Sequence, residues 1–212
     1  MKSPRKTIRV LIADDHPMVR KGLAAVLQSQ NDIEVVAEAT DGEEALDLYA
    51  RHSPDVLILD LRMPEKDGLQ VITELMAFTR PKPRIVVVTT YETEEDIRLA
   101  LQAGAKGYLV KGALPRQILE TVRRVAEGKS LLPATVAAKL AKSLAHPKLT
   151  AREFQVLRHI ATGSSDKEIG QKLKIALPTV RTHVQSILAK LDAMGRTEAI
   201  AIAKKRGLLR RS

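Results

Sequence analysis

The sequence predicts two domains: a doubly wound α/β domain built on a five-stranded parallel sheet, followed by an all-α domain of four helices containing a helix-turn-helix. Three observations lead there. Over residues 1–127 short β-branched runs alternate five times with helical patterns. Past Glu127 the balance of charge reverses, and over 148–212 only helical periodicity remains. A chain of 212 residues suffices for two small domains that each bury a core.

The strands are read in IRVLIAD, EVVAEA, DVLILD, IVVVTT and GYLV. Between and after them, helices are expected from about Pro17, from about Gly42, and over 67–77, 93–103 and 114–127. Continuously apolar strands separated by helices indicate a parallel sheet covered on both faces. Such sheets bind ligands beyond the carboxyl ends of their strands. Residues 128–147 (GKSLLPATVAAKLAKSLAHP) lose this rhythm and read as a linker, with a short helix between its prolines. In 148–212, Thr150 and Glu153 are spaced as a capping box, and Gly163 stops the helix they begin. A second helix is expected over 165–173. A third is entered through Pro178 and carries Val180, Val184, Ile187 and Leu191 on one face, and a fourth covers 196–206.

Composition removes several function classes. With no cysteine there is no disulfide, thiolate metal site or cysteine nucleophile, which favours a cytoplasmic setting. Two Phe, three Tyr and no Trp leave little to stack on single-stranded nucleic acid. The first apolar run ends at Asp14, too soon for a signal peptide, and no stretch is long enough to span a membrane. The net charge of +10 is divided unevenly, −2 over residues 1–127 and +12 over 128–212. The second part is therefore expected to meet a polyanion, with nucleic acid ahead of an anionic membrane.

Asp14 and Asp15 end the first strand, Asp60 the third, Thr89 the fourth and Lys111 the fifth. Taken singly, each would read as a helix cap or a solvated loop residue. Taken together, they occupy the ends of four strands at the binding edge. Converging carboxylates repel one another unless a hard cation is present, and Mg²⁺ suits a few carboxylates, waters and phosphoryl oxygens. An aspartate beside Mg²⁺ can attack a phosphoryl group, with Lys111 pairing to its oxygens and the Thr89 hydroxyl bonding to one. The same pocket would suit a Mg²⁺-dependent phosphohydrolase with Asp60 as nucleophile. A second rival is a binding module whose basic region meets membrane or protein.

The segments IADDHPMVRKGL, LILDLRMPEKDG, VVVTTYE and GAKGYLVKG resemble the receiver signatures of NarL/FixJ-type response regulators of two-component systems. The resemblance covers the whole first domain and implies a flavodoxin-like receiver. It implies that Asp60 accepts phosphate from a phosphohistidine on a sensor histidine kinase, and that Asp14, Asp15, Asp60 and the backbone carbonyl of Arg62 serve Mg²⁺. Lys111 would contact the phosphate, and Thr89 and Tyr108 match the pair that rearranges on phosphorylation. Tyr108 also reads as an aromatic half buried beside the last strand. Catalysis would be confined to the protein's own aspartyl phosphorylation and dephosphorylation.

In the second domain the third helix is a candidate recognition helix. Its apolar face leaves Arg181, Thr182 and Gln185 exposed near the N-terminal half, where such helices meet base edges in the major groove. Arg181 suits guanine or phosphate and Gln185 suits adenine. Lys190 and the Thr179 hydroxyl are expected on backbone phosphate. His183, with no ligand set around it, reads as structural. Lys204, Lys205, Arg206, Arg210 and Arg211 form a basic tail suited to nonspecific phosphate attraction. LTAREFQVLRHIATGSSDKEIGQKLKI, TVRTHVQSILAKL and RTEAIAIA resemble the LuxR-type DNA-binding domain. This implies a transcriptional regulator that binds duplex operator DNA as a homodimer, with its last helix contributing to the dimer interface. Many relatives are basic where this chain has Gln185. RNA polymerase is a further candidate partner; a membrane is not.

Overall fold

The computed structural model describes residues 7–90 and 93–209. They form two compact units, with the main boundary between Ala138 and Lys139. The first unit contains β1 (Ile8–Ala13), α1 (Pro17–Gln28), β2 (Ile33–Ala39), α2 (Gly42–His52), β3 (Val56–Leu59), α3 (Gly68–Phe78), β4 (Ile85–Thr89), α4 (Glu94–Ala103), β5 (Gly107–Val110) and α5 (Pro115–Ala126). The strands are parallel in the order β2-β1-β3-β4-β5. This is the flavodoxin-like winding, whose order reverses at β1 and β3 and opens a crevice beyond their carboxyl ends.

The strand sequences read as continuous apolar runs because both faces of the sheet are covered. Every residue of β3 and β4 is buried. Side chains alternate, so Val10, Ile12, Val56, Ile58, Val86, Val88 and Leu109 meet Leu23, Ala24 and Leu27 of α1 and Ile118, Val122 and Val125 of α5. Leu11, Leu57, Leu59 and Val87 take the other face, with buried Ala45, Val71, Ile72, Leu75 and Ile97 from α2, α3 and α4. Each such Val, Leu or Ile side chain contributes roughly 1.5–3 kcal/mol when fully buried. Helix starts follow local chemistry. Pro17 occupies the first turn of α1, and the Asp41 carboxylate caps α2 by accepting from the Glu43 and Glu44 amides.

Residues 128–147 are more ordered than a bare linker. Leu131 bridges to Gly107 beside β5, its amide donating to the Lys106 carbonyl at 3.0 Å. Helix α6 (Ala134–Ala145) follows, with Val136 buried. The second unit holds α7 (Ala151–Ala161), α8 (Asp166–Leu173), α9 (Leu177–Leu191) and α10 (Arg196–Arg206). Capping boxes start two of them, Thr150 with Glu153 at α7 and Ser165 with Glu168 at α8. The expected stripe of Val180, Val184, Ile187 and Leu191 packs on Val156, Leu157 and Ile160 of α7, Ile169 of α8, and Ala199 and Ala203 of α10. Between α8 and α9 the chain folds back so closely that a Cβ on Gly170 would stand 2.9 Å from the Ile175 carbonyl oxygen. Among the described residues, no helix is long and apolar enough to cross a membrane.

Candidate metal centre and nucleic-acid interface

Asp14 directly follows β1, Asp60 follows β3, Thr89 ends β4 and Lys111 follows β5, so parallel pairing alone sets them along one rim. The Asp60 amide donates to the Ala13 carbonyl at 2.8 Å, joining the two acidic turns. Lys111 Nζ lies 2.7 Å from Asp60 Oδ2 and 2.9 Å from Asp14 Oδ1. All three side chains are almost wholly buried. Burial opposes the charge on Lys111, but its hydrogen bonds to Asp60 and Asp14 outweigh that and raise its pKa above the ordinary lysine value. The lysine is therefore a fixed cation between two carboxylates.

The remaining oxygens differ in how they are engaged. Asp14 Oδ1 also accepts from the His16 amide at 2.9 Å, and Asp60 Oδ1 accepts from the Arg62 amide at 3.2 Å. Asp15 Oδ1 lies 2.6 Å from His16 Nδ1. Asp14 Oδ2 is buried and has no hydrogen-bond partner. An unpartnered buried carboxylate oxygen is costly, and a cation would satisfy it. Asp14, Asp15, His16 and Asp60 each place a ligand atom within 4.8 Å of the others. A hard cation such as Mg²⁺ fits an oxygen-rich set of this kind.

Thr89 and Tyr108 are fully buried. Tyr108 was expected to be half buried; it is enclosed because it lies within β5 rather than at the strand's margin. It stands opposite Val87, which places it on the same sheet face as Thr89. The Arg62 guanidinium reaches buried Asp96 on α4 at 3.4 Å.

Two contributors were not assigned from sequence. His16 stands at the mouth, largely exposed, beside the acidic pair. Gly68, at the start of α3, packs against the backbone that carries Asp60, where a Cβ would lie 2.2 Å from the Asp60 carbonyl oxygen. Backbone cannot yield as a flexible side chain can. Gly68→Ala is expected to shift the Asp60 turn by about 1 Å, lowering stability by roughly 1–3 kcal/mol and phosphodonor labelling by more than tenfold. Thermal unfolding and labelling check this, and parental values in both would refute the packing account.

In the second unit Thr179, Arg181 and Thr182 are exposed on the first half of α9 and Gln185 just past its middle, away from its apolar stripe. The Thr182 hydroxyl donates back to the Pro178 carbonyl at 3.1 Å, so a base would meet its lone pairs and methyl group. His183 is half buried. Lys190, expected on backbone phosphate, is engaged within its own domain. Its Nζ lies 2.7 and 2.9 Å from the two carboxylate oxygens of buried Glu153, which also accepts from the Ser186 hydroxyl at 2.6 Å. Position 190 follows Ile187 by three residues, at the margin of the apolar stripe, and the carboxylate draws the ammonium inward. Lys204 and Lys205 are exposed on α10, whereas Arg210 and Arg211 lie outside the described residues.

Known proteins share both halves of this arrangement. Residues 10–123 match the response regulator receiver domain, and residues 147–203 match the luxR family of bacterial regulatory proteins. This chain belongs to the LuxR-type response regulators. Among its relatives, the transcriptional regulatory protein LiaR of Bacillus subtilis is 40% identical over 210 residues, 95% of this chain and 99% of LiaR. Solved RcsB of Salmonella typhimurium is 26% identical with a TM-score of 0.75, covering 93% of this chain and 100% of that one. A structure of two RcsB dimers bound to two parallel DNAs has a TM-score of 0.73 at 26% identity, covering 94% of this chain and 99% of that one. This response regulator is thus a two-component transcriptional regulator with a receiver and a DNA-binding domain.

Proposed function

We propose that Asp60 is the phosphoacceptor of a receiver spanning residues 1–127, and that its phosphorylation controls operator binding by residues 148–212 through the linker 128–147. The observation that carries this reading is Lys111 Nζ bridging Asp60 and Asp14 beside the unpartnered Asp14 Oδ2. An Asp60 oxygen attacks the phosphorus of a phosphohistidine on a sensor kinase; the P–N bond breaks, an acyl phosphate forms, and the imidazole leaves. Asp14, Asp15, Asp60 and the Arg62 carbonyl would hold Mg²⁺, which would supply charge neutralisation of the phosphoryl oxygens. Lys111, already within 2.7 Å of Asp60, pairs with the phosphoryl group attached there. Thr89 and Tyr108, buried on the same face of the sheet, are the pair that rearranges on phosphorylation. Stoichiometric phosphorylation, not turnover of phosphate esters, is the reaction.

Thr179, Arg181, Thr182 and Gln185 meet duplex DNA in the major groove, two domains of a homodimer reading paired half-sites. Dimerisation makes the second contact effectively intramolecular, so a shift in dimer population changes promoter occupancy. RNA polymerase is the onward partner, and the cytoplasm is the setting in which kinase, operator and polymerase meet.

The test is selection of bound fragments from random duplex DNA with and without a small phosphodonor. Phosphodonor with Mg²⁺ is expected to tighten binding to the selected sequence at least tenfold, and withholding Mg²⁺ to remove the gain. Equal affinity in all conditions would refute phosphorylation control.

A further inference from the structure

We propose that Arg20 is a positioning residue for the metal pocket, locking the backbone carbonyl of Asp14 with the help of Glu38. The inference rests on the reading of Asp14 as a metal ligand.

Asp14 is restrained almost everywhere except at Oδ2. Its amide donates to the Ala39 carbonyl of β2 at 3.1 Å, and Oδ1 is held by the His16 amide and Lys111. Its carbonyl oxygen accepts from Arg20 Nη1 at 2.7 Å. Arg20 reaches back from the first turns of α1, and its Nε donates to Glu38 Oε2 on β2 at 3.2 Å. The planar guanidinium thus spans from the acidic turn to the edge strand, with two directions of its fork fixed at once. Its side chain is only 12% exposed, so this geometry is shielded from competing water.

The charge on Arg20 is also offset in part by Glu38. A lone guanidinium near the carboxylates would oppose an incoming cation. Glu38 faces Arg20 and, at 2.9 Å, Lys21, so the arginine holds the carbonyl without presenting a bare positive charge to the pocket. Groups that orient a metal ligand from behind typically affect affinity by 10–100-fold. Arg20 differs from a general fold-stabilising arginine because its partner is the backbone of a residue that carries an unpartnered buried carboxylate oxygen.

The experiment measures Mg²⁺ binding to the full chain by titration calorimetry, without phosphodonor, and the Mg²⁺-induced rise in unfolding temperature. Arg20→Met is expected to weaken Mg²⁺ binding roughly tenfold, and Glu38→Ala about threefold by releasing the arginine. The double variant should bind like Arg20→Met alone, since Glu38 acts through Arg20. Lys21→Ala removes a cation from Glu38 without touching Asp14 and should stay within about twofold of the parent. Should Arg20→Met fold poorly, Arg20→Lys supplies the answer: a point-like ammonium cannot fill both positions of the fork, so a loss of about threefold is expected. Parental Mg²⁺ affinity in the folded arginine variants overturns the proposal while leaving the metal pocket standing. Failure of the parent itself to bind Mg²⁺ overturns both.

Discussion

Asp60→Asn is expected to take up no phosphate from a small phosphodonor in the presence of Mg²⁺, and to unfold no earlier than the parent. The first half follows from losing the nucleophile, because an amide oxygen does not form a stable acyl phosphate. The second follows from the electrostatics of the rim. Asp14, Asp15 and Asp60 bring ligand atoms within 4.8 Å of one another, and Lys111 is the cation between Asp14 and Asp60. Two unit charges about 5 Å apart at an effective dielectric of about 20 repel by roughly 3 kcal/mol. Removing one carboxylate relieves part of that repulsion, and the asparagine oxygen still accepts from Lys111. Labelling with Mg²⁺ present and thermal unfolding without it check both halves. Full labelling of the variant would place the phosphate elsewhere. Lys111→Met should behave oppositely, keeping the nucleophile but losing roughly 10²–10³ in labelling rate, as when a donor to developing negative charge is removed.

Glu153→Gln is expected to destabilise the DNA-binding unit by about 3 kcal/mol at neutral pH and to weaken operator binding with it. Burial alone would raise the Glu153 pKa, but bonds from Lys190, Ser186 and Thr150 lower it from 4.5 to about 2. A carboxyl whose pKa is depressed by folding contributes stability that is fully present above the unfolded value. That contribution is lost as pH falls from about 4.5 towards 2. The parent's second unit should therefore lose stability steadily across that window, and the Gln variant should lack this component. Denaturant unfolding of the full chain at pH 7, 4 and 2.5, followed by a probe in α7 or α9, measures it. Coincident pH profiles would mean that Glu153 merely caps α7.

Much of this molecule was legible in its sequence because the informative residues obey local periodicities. The β-branched runs are continuous where strands are buried on both faces, and the candidate site residues stand where those runs stop. Thr150 with Glu153 announced a helix start through spacing alone. Contacts that depend on distant packing could not be read. The second role of Glu153 exists only because α7 lies against α9, and nothing near position 190 reveals that its lysine turns inward. Gly68 and Arg20 both sit inside recognisable segments, yet each acts on backbone, Gly68 on that of Asp60 and Arg20 on that of Asp14, through a fit that a one-dimensional pattern does not encode. Tyr108 was underestimated for a related reason, since enclosure depends on what covers the strand.

The inward lysine also changes what the DNA experiences. The +12 net charge of residues 128–212 already sets Glu153 against one cation, and that cation is Lys190, held inward by the carboxylate. Each phosphate contact that is not made leaves its counterions condensed on the duplex, so the dependence of log affinity on log salt is shallower by about 0.9 per domain. On the proposed reading of α9 as the DNA-contacting helix, binding should then persist further as ionic strength rises, with more of the selectivity carried by Thr179, Arg181, Thr182 and Gln185.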